Sequence, residues 1–514
     1  MAQLIEPRVR YEEQIKALPC VSKRTKIYSL SGTVNKGAQA RILIDNYQNG
    51  MLCTKDCYLN FTANPTYEGT GIAGDAASVP VRDPTVATDH IDIYRNLDTA
   101  NCMIQKIEVL VNGVSICVMD NYNMISQILA VAGEDITSDA FRGVTQGGSS
   151  VNTLRGKILD TGADIGTDGD DVGTLGGQSV AQAVGACTGT AGNNDTLVGA
   201  PQAFSVPLHS ILGSCFKNIP LGYLQNSGLE IQVQFDQNLA KSFFTGKPLH
   251  ALDGNKSKCT FSNISFDCRI NYYEPASMDV INSVNGWKPG GDPITWIGTQ
   301  YKCSTGQITT VQQDQEQTLT TLVPNSRYRS LDNLFFASYR SDDDTYQKDG
   351  VATASAGVNP WIPFIGCTSL QYRIGSTLIP RTELDNLPDM GQSTKACMSG
   401  VSQSLTRTYM SHKGTLLNDR DGAAGFIYNS ATNARDYPRG CIGVATGTFN
   451  DAHGNISGTD TSNLTVSCLN RIETSLNTSG TAFTALTPQV TAWISQISVA
   501  YQLDPTTGRM GVSF

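Results

Sequence analysis

The sequence predicts an all-β protein of at least two domains, and three observations carry this prediction. The chain has 514 residues, more than one hydrophobic core usually accommodates. It contains 49 Gly and 20 Pro residues, together with many Asn, Ser and Thr residues, and this composition indicates frequent turns. Short runs in which apolar and polar residues alternate recur between the turns, as expected for strands with one buried face.

The basic N-terminal segment differs in charge from the rest of the chain. The formal net charge is −9 and the pI is near 5.1, so we expect no specific nucleic-acid recognition, which needs Lys and Arg to replace phosphate counterions. Within residues 1–26, however, basic residues outnumber acidic ones. We interpret this range as an N-terminal arm that is solvated or faces nucleic acid or anionic lipid.

The N-terminal letters MAQLIEPRVRYEEQ contain no apolar segment of the kind found in signal peptides. The chain also contains no uninterrupted run of about 18 apolar residues, the length that a membrane-spanning helix requires. We therefore expect neither signal-directed secretion nor insertion into a membrane.

Fourteen cysteines are scattered along the chain, many of them inside apolar runs. Such cysteines usually behave as small buried apolar residues in a reducing compartment. Cys53 and Cys57, in CTKDC, are the close pair, and no second pair at similar spacing completes a zinc site. We expect free thiols, while metal binding or pairing of these two residues stays open.

The first half of the chain contains a clear hairpin. Ile107, Val109 and Val111 alternate with polar or outward positions, and Asn112-Gly113 suits the positive φ angles of a two-residue turn. The second strand is predicted to continue the apolar face through Val114, Ile116 and Val118. Asp120 or Asn121 is then expected to cap a helix that ends at Gly133 and carries an apolar stripe of Ile125, Ile128 and Leu129.

A Gly- and Asp-rich stretch at about residues 143–200 interrupts this half and is interpreted as a solvated insertion. Its acidic residues suggest calcium, but their spacing lacks the terminal Glu of an EF-hand loop; they are Asp164, Asp168, Asp170 and Asp171. After the insertion, strict alternation over residues 229–236 predicts a strand, and a further strand ends at Pro275.

The second half repeats the first half in outline. A short helix over residues 276–286 and the Pro/Gly stretch WKPGGDP indicate a linker at 276–290, which separates domains at 27–275 and 291–514. Strand-rich runs follow, with a tight turn at Gly375-Ser376, a Gly/Asn/Asp-rich region at about 418–462 and a closing strand in QVTAWISQISVAYQLD. This order indicates a duplicated all-β module.

Residue patterns typical of catalysis are missing from the sequence. The five histidines stand apart, and no H-E-x-x-H, G-x-S-x-G, Walker A or dinucleotide-binding motif occurs. The sequence therefore predicts no catalytic, cofactor-binding or metal-binding residues, and a protein that is not an enzyme.

Four stretches resemble parts of the double jelly-roll major capsid proteins of tailless icosahedral viruses, with a pattern similar to that of polinton-like viruses and virophages. The stretch LDTANCMIQKIEVLVNGVSICVMDNYNMISQIL resembles the strand, hairpin and Tyr-Asn helix of the first barrel. IPLGYLQNSGLEIQVQFD is similar to a late strand of that barrel, and LQYRIGSTLIPRTEL and AWISQISVAYQLD resemble elements of the second barrel.

This resemblance implies two tandem eight-stranded jelly-roll barrels with long loop insertions and a few short helices. It also implies a structural capsid subunit that forms pseudo-hexagonal homotrimers, which assemble into an icosahedral virion shell inside the host cell. The implied partners are neighbouring capsomers, penton and minor capsid proteins, with the arm on the inner side against a membrane or the genome. Under this interpretation Gly113→Val should impair folding and trimer yield rather than an activity.

The alternative is a β-rich viral fibre or lectin-like protein that binds a receptor or glycan. Its motivation is the acidic run between Asp164 and Asp171 together with the all-β composition. Calcium-dependent binding to glycans would favour this alternative, whereas substitution of Asp168 and Asp170 should leave the folding of a capsid subunit nearly unchanged.

Overall fold

The computed structural model describes the strand framework of both halves of the chain. Descriptions below are confined to residues 20–47, 49–68, 91–93, 100–126, 196–198, 202–208, 219–224, 228–237, 244–246, 257–285, 293–308, 316–340, 367–398, 427–429, 434–436, 441–447, 458–473 and 489–513.

Thirteen strands lie in the described part of the first half. They are β1 (Cys20–Tyr28), β2 (Val34–Asn35), β3 (Gln39–Ile44), β4 (Gly50–Glu68), β5 (Ile91–Ile93), β6 (Ile104–Val111), β7 (Val114–Asp120), β8 (Thr196–Val198), β9 (Gln202–Pro207), β10 (Ile219–Pro220), β11 (Leu229–Phe235), β12 (Phe244–Gly246) and β13 (Ser257–Tyr273). One sheet has the order β1-β13-β4-β10, with β2 beside β13 and with β8 and β9 beside β4. The facing sheet has the order β3-β11-β6-β7, and β5 pairs with β12.

The second half begins with a helix and continues with eleven described strands. The elements are α1 (Pro275–Asn285), β14 (Ile294–Ile308), β15 (Glu316–Leu322), β16 (Leu331–Arg340), β17 (Cys367–Ile374), β18 (Thr377–Leu384), α2 (Leu387–Met398), β19 (Ile427–Asn429), β20 (Ala434–Asp436), β21 (Ile442–Ala445), β22 (Val466–Glu473), β23 (Gln489–Leu503) and β24 (Met510–Ser513). One sheet has the order β14-β23-β16-β21, with β24 beside β23, and the other has the order β15-β22-β17-β18.

The two halves share one strand topology. When the main strands of each half are counted in chain order, one sheet holds the first, eighth, third and sixth strands, and the other holds the second, seventh, fourth and fifth. In the first half the sixth strand is split into β9 and β10, both antiparallel to β4. Eight antiparallel strands wound in this order form a jelly roll. The prediction of two tandem eight-stranded jelly-roll barrels is therefore confirmed.

Each barrel buries an aromatic core between its two sheets. In the first barrel the rings of Phe235 and Phe261 stack with centroids 3.8 Å apart, and Phe61 contacts both rings edge-on. In the second barrel Trp493 is fully buried and packs against Phe336. The predicted alternation in β11 is confirmed, because its odd-numbered residues from Leu229 to Phe235 are all buried.

Both predicted two-residue turns are present. Asn112 and Gly113 have φ angles of 50° and 77°, and the flanking residues Val111 and Val114 pair in the β6–β7 ladder. Gly375 has a φ angle of 59° in the turn between β17 and β18. A Cβ atom at Gly113 would meet no atom within 4 Å, so the strain expected in Gly113→Val comes mainly from the positive φ angle.

The predicted apolar face of β7 is only partly correct. Ile116 is buried as predicted, but Val114 is 47% exposed and Val118 is only half-buried, whereas Cys117 and Met119 are buried. The ladder register shifts where Val109 pairs with Cys117 and Leu110 with Ser115. This bulge inserts one extra residue, and a one-residue shift sends the following side chains to the opposite face.

Two further segments differ from their predicted roles. Residues 20–26, assigned to the arm, belong to β1, whose whole length pairs with β13. The Gly/Asn/Asp-rich region at 418–462 contains β21, a buried strand that pairs with β16 and forms one edge of a sheet of the second barrel.

Other predicted elements lie at the expected places or outside the described residues. The helix expected at 276–286 is α1, which occupies most of the predicted linker. After β7, residues 122–126 are helical and Ile125 is buried. Ile128, Leu129 and Gly133 lie outside the described residues, as does the 143–200 insertion except for β8.

Candidate functional site

The residues first considered for chemistry do not form a described reactive centre. All five histidines and Asp164, Asp168, Asp170 and Asp171 lie outside the described residues. Within the part of the chain that the structure describes, no three His, Cys, Asp or Glu side chains are grouped to hold a metal ion. No helix in the same residues is long and apolar enough to cross a membrane.

Cys53 and Cys57 are free thiols on β4. The Cys57 thiol donates a hydrogen bond to the Cys53 carbonyl oxygen at 3.2 Å, and burial raises its pKa well above the usual range. Cys268, on the neighbouring strand, also has a pKa raised by burial, to about 12. The Cys57 and Cys268 thiols are therefore protonated packing groups near neutral pH.

Cysteine reactivity should follow burial. Burial raises the pKa of Cys441 and of Cys468 to about 12, so at pH 8 the thiolate fraction of either is about 10⁻⁴. We expect iodoacetamide to alkylate the exposed Cys20 rapidly in the native protein and to leave these two unmodified until urea is added. Peptide mass spectrometry would measure this, and equal labelling of Cys20 and Cys441 without urea would contradict it.

The most informative site is the junction between the two barrels, where β7 of the first lies beside β14 of the second. The Gln300 Nε2 atom donates to the carbonyl oxygen of Ile116 at 2.7 Å, and Lys302 Nζ donates to that of Val118 at 2.9 Å. β7 is an edge strand of its sheet, and edge carbonyls need hydrogen-bond partners when they are buried. Side chains of β14 therefore cap the edge of β7.

Gln300 connects this contact to the core of the second barrel. Its side chain is buried, and Nε2 also lies 2.6 Å from the hydroxyl oxygen of Tyr501, which accepts the hydrogen bond. The Tyr501 ring stacks on Trp296 with centroids 5.6 Å apart. The stacked rings of Trp296 and Tyr501 thus position the Gln300 amide, which donates to the edge of the first barrel.

The β6–β7 hairpin makes the second contact across the junction. At its turn, Asn112 Nδ2 donates to the carbonyl oxygen of Gly508 at 2.5 Å. At the other end of β7, the Asn121 side chain is hydrogen-bonded to the Cys303 thiol, whose pKa burial raises to about 12. Asn121 has a φ angle of 55°, and its carbonyl accepts from Ile125 N–H, so its side chain serves the junction rather than the predicted helix cap. The hairpin is thus a structural link between barrels.

The β1 segment combines basic residues with a strand edge that pairs with no other described strand. Lys23, Arg24 and Lys26 are exposed, and Arg24 Nε forms an ion pair with Asp267 at 2.7 Å. Lys23 lies over the ring of Tyr272, a residue of β13. Much of the basic charge assigned to the arm therefore lies on a sheet.

Eight large apolar side chains are exposed among the described residues. Three of them lie on or just after β1, and three lie at one end of the sheet that contains β18. We define the β1 surface by Val21, Tyr28 and Leu30. We define the β18 surface by Leu322, Leu378 and Leu464, which lie at one end of the sheet that contains β18. Leu322 and Leu464 also line an open groove of about 540 Å³.

The observed architecture is that of an all-β protein with two jelly-roll barrels joined side by side, and solved structures share it. A chain of the Sputnik virophage structure aligns with a TM-score of 0.54 and 11% identity, covering 100% of this chain and 93% of that one. PBCV-1 VP54, fitted into a Sputnik reconstruction, aligns with a TM-score of 0.52 and 10% identity, covering 97% and 98%. The mavirus major capsid protein aligns with a TM-score of 0.50 and 9% identity, covering 96% and 90%.

The chain therefore has the double jelly-roll fold of viral major capsid proteins. The match extends over nearly the full length of both chains, so it includes both barrels and their connection. No protein-family model and no curated protein sequence matches the chain. The sequence identities are only 9–11%, so the similarity to these proteins is a similarity of fold.

Proposed function

We propose that the chain is the structural major capsid subunit of a tailless icosahedral virus, that it is not an enzyme, and that it resides in the virion shell. A fold alone does not define a function, because one fold serves many functions. The observation that carries the proposal is the junction: two barrels of identical topology are held side by side by specific hydrogen bonds between β7 and β14. A shell needs such repeated, rigid units more than it needs a reactive site.

The paired barrels support a homotrimeric capsomer. Three copies around a threefold axis would place six barrels of one topology in a ring, which gives a nearly hexagonal outline. Such capsomers would pack against neighbouring capsomers, with penton and minor capsid proteins at the remaining positions. The N-terminal segment predicted as an arm at 1–26 would meet a membrane or the genome on the inner side.

The purified chain should behave as a trimer. We expect sedimentation or light scattering to give three times the 55.1 kDa mass of one chain, and negative-stain images to show hexagonal particles. A urea-denatured sample, which should give the single-chain mass, is the control. Single chains under all salt conditions would contradict the proposed capsomer.

A further inference from the structure

We propose that Cys57 and Cys268 form a latent disulfide site, in which a small-molecule disulfide converts two thiols on neighbouring strands of the first barrel into one bond between β4 and β13. The two cysteines lie more than 200 positions apart in the sequence, yet the β4–β13 ladder pairs them directly. Both are free thiols in the structure. The inference does not depend on the proposed trimer.

The two cysteine side chains lie on the same face of their sheet. Residues that are directly paired across an antiparallel ladder have their side chains on one face, and Cys57 and Cys268 are such a pair. Cys57 lies two positions before the buried Leu59, and Cys268 lies two positions after the buried Phe266. The cysteines themselves are 0% and 1% exposed. Both side chains therefore point into the core between the two sheets.

The backbone hydrogen bonds show that the two strands approach closely at this pair. The Cys57 carbonyl accepts from the N–H of Leu208, which follows β9 on the other side of β4. The Ile264 carbonyl accepts from the N–H of Ser29, next to β1, and Cys268 lies four positions further along β13, so its backbone groups also point toward β1. Cys57 and Cys268 thus form a non-hydrogen-bonded pair, in which Cα atoms are about 4.5 Å apart. A disulfide accommodates Cα separations of about 4.4–6.8 Å.

Cys53 is close to Cys57 in the sequence but lies on the opposite face of the sheet. The ladder passes from the pair Cys57 and Cys268 to the pair Cys53 and Arg269, so three residues of β4 bulge out between its two cysteines. Arg269 is exposed and forms an ion pair with Asp56. Cys53, as the partner of Arg269, faces away from the core. The geometry therefore favours a bond from Cys57 to Cys268 over one from Cys57 to Cys53.

The bond forms by thiol–disulfide exchange with a small-molecule disulfide such as glutathione disulfide. The thiolate of one cysteine attacks a sulfur of glutathione disulfide, and one glutathione leaves as its thiolate. The thiolate of the other cysteine then attacks the protein sulfur of this mixed disulfide, and the second glutathione leaves. Two protein thiols are oxidised, one glutathione disulfide is reduced, and the two leaving thiolates take up the two thiol protons. Because both cysteines are buried, the exchange requires the sheet to open.

The disulfide would stabilise the middle of one sheet of the first barrel. β4 and β13 are the two longest described strands of that barrel and are neighbours in the sheet. The bond would close a loop of more than 200 residues, and the stabilisation by a disulfide grows with the length of the loop. Under the proposed function, the thiols would stay reduced during assembly in the host cell and would pair once the virion enters an oxidising environment.

Peptide mapping after oxidation tests the inference. The purified protein is incubated with glutathione disulfide at urea concentrations below the unfolding transition, and the remaining thiols are blocked with iodoacetamide. Trypsin and Asp-N protease together cleave between Cys53 and Cys57 and between Cys259 and Cys268. We expect a linked pair of peptides that contain Cys57 and Cys268, formed faster as the urea concentration rises. The oxidised protein should unfold at a urea concentration about 1 M higher than the reduced protein.

Cys53→Ala is the matched control for Cys57→Ala. Cys53→Ala keeps both thiols of the proposed site, so it should keep the linked peptides and the shift in the urea midpoint. Cys57→Ala should lose both. Circular dichroism checks that each variant is folded, and Cys268→Ala replaces Cys57→Ala if the latter does not fold.

Two results would overturn the inference. One is a bond from Cys57 to any cysteine other than Cys268. The other is that Cys57 and Cys268 stay free at every urea concentration and also after refolding in a glutathione buffer. A trimer that forms without the disulfide would leave the proposed function standing, and a disulfide in a chain that never forms trimers would leave this inference standing.

Discussion

Gly228→Ala should strongly destabilise the first barrel. Gly228 precedes β11 with a φ angle of 63°, and a Cβ atom there would lie 2.2 Å from the carbonyl oxygen of Ile44. The Gly228 carbonyl also accepts the backbone N–H of Asn112, so movement of this residue would disturb the hairpin turn. We expect a loss of roughly 3–5 kcal/mol in the free energy of unfolding, which is among the largest effects of a single substitution.

Gly113→Ala is the matched control for this prediction. Gly113 also has a positive φ angle, 77°, but the space around its Cβ position is open. The backbone strain alone should cost about 1–2 kcal/mol. Urea unfolding followed by circular dichroism and the yield of soluble protein would measure both variants. Equal losses in the two variants would show that the contact with Ile44 is unimportant.

Gln300→Ala should weaken the junction between the barrels. The variant removes the donor to Ile116 and Tyr501 and leaves a cavity, so we expect a loss of about 2–4 kcal/mol in the free energy of unfolding. Gln300→Glu keeps the shape, but an ionised carboxylate cannot donate to the Ile116 carbonyl, so it should be at least as destabilising. Hydrogen exchange at β7 should increase in both variants.

Gln502→Ala controls for the loss of a glutamine. Gln502 lies on β23 close to Tyr501, but it is exposed. Its replacement should change the free energy of unfolding by less than about 0.5 kcal/mol and leave hydrogen exchange at β7 unchanged. A wild-type exchange rate at β7 in Gln300→Ala would mean that Gln300 does not hold the barrels together.

Local sequence patterns were sufficient for the elements that depend on local geometry. Asn112-Gly113 and Gly375-Ser376 form the predicted turns because positive φ angles restrict which residues can occupy them. The strict alternation of β11 predicted its buried face because both sides of that strand are paired without a bulge over most of its length. A local pattern also predicted α1, a short helix followed by the Pro/Gly stretch WKPGGDP.

The predictions that differed depended on neighbours distant in the sequence. The bulge at Ile116 arises in pairing with β6, and it leaves Val118 only half-buried instead of buried. β21 is short and surrounded by turn residues, so its role became visible only through its ladder with β16. The sequence analysis assigned Lys23, Arg24 and Lys26 to an arm rather than to a strand. Their pairing partner, β13, is more than 200 residues away, so no local pattern indicates the pairing.

The amino-acid sequence by itself determined the all-β class, the positions of the tight turns and the repeat of one module, because each follows from local propensity and periodicity. Only the tertiary structure decided how the modules are joined. Gln300 and Lys302 have the pattern of ordinary water-facing strand residues. They become the junction because folding brings β14 beside the unpaired carbonyl edge of β7, a contact between residues 184 positions apart.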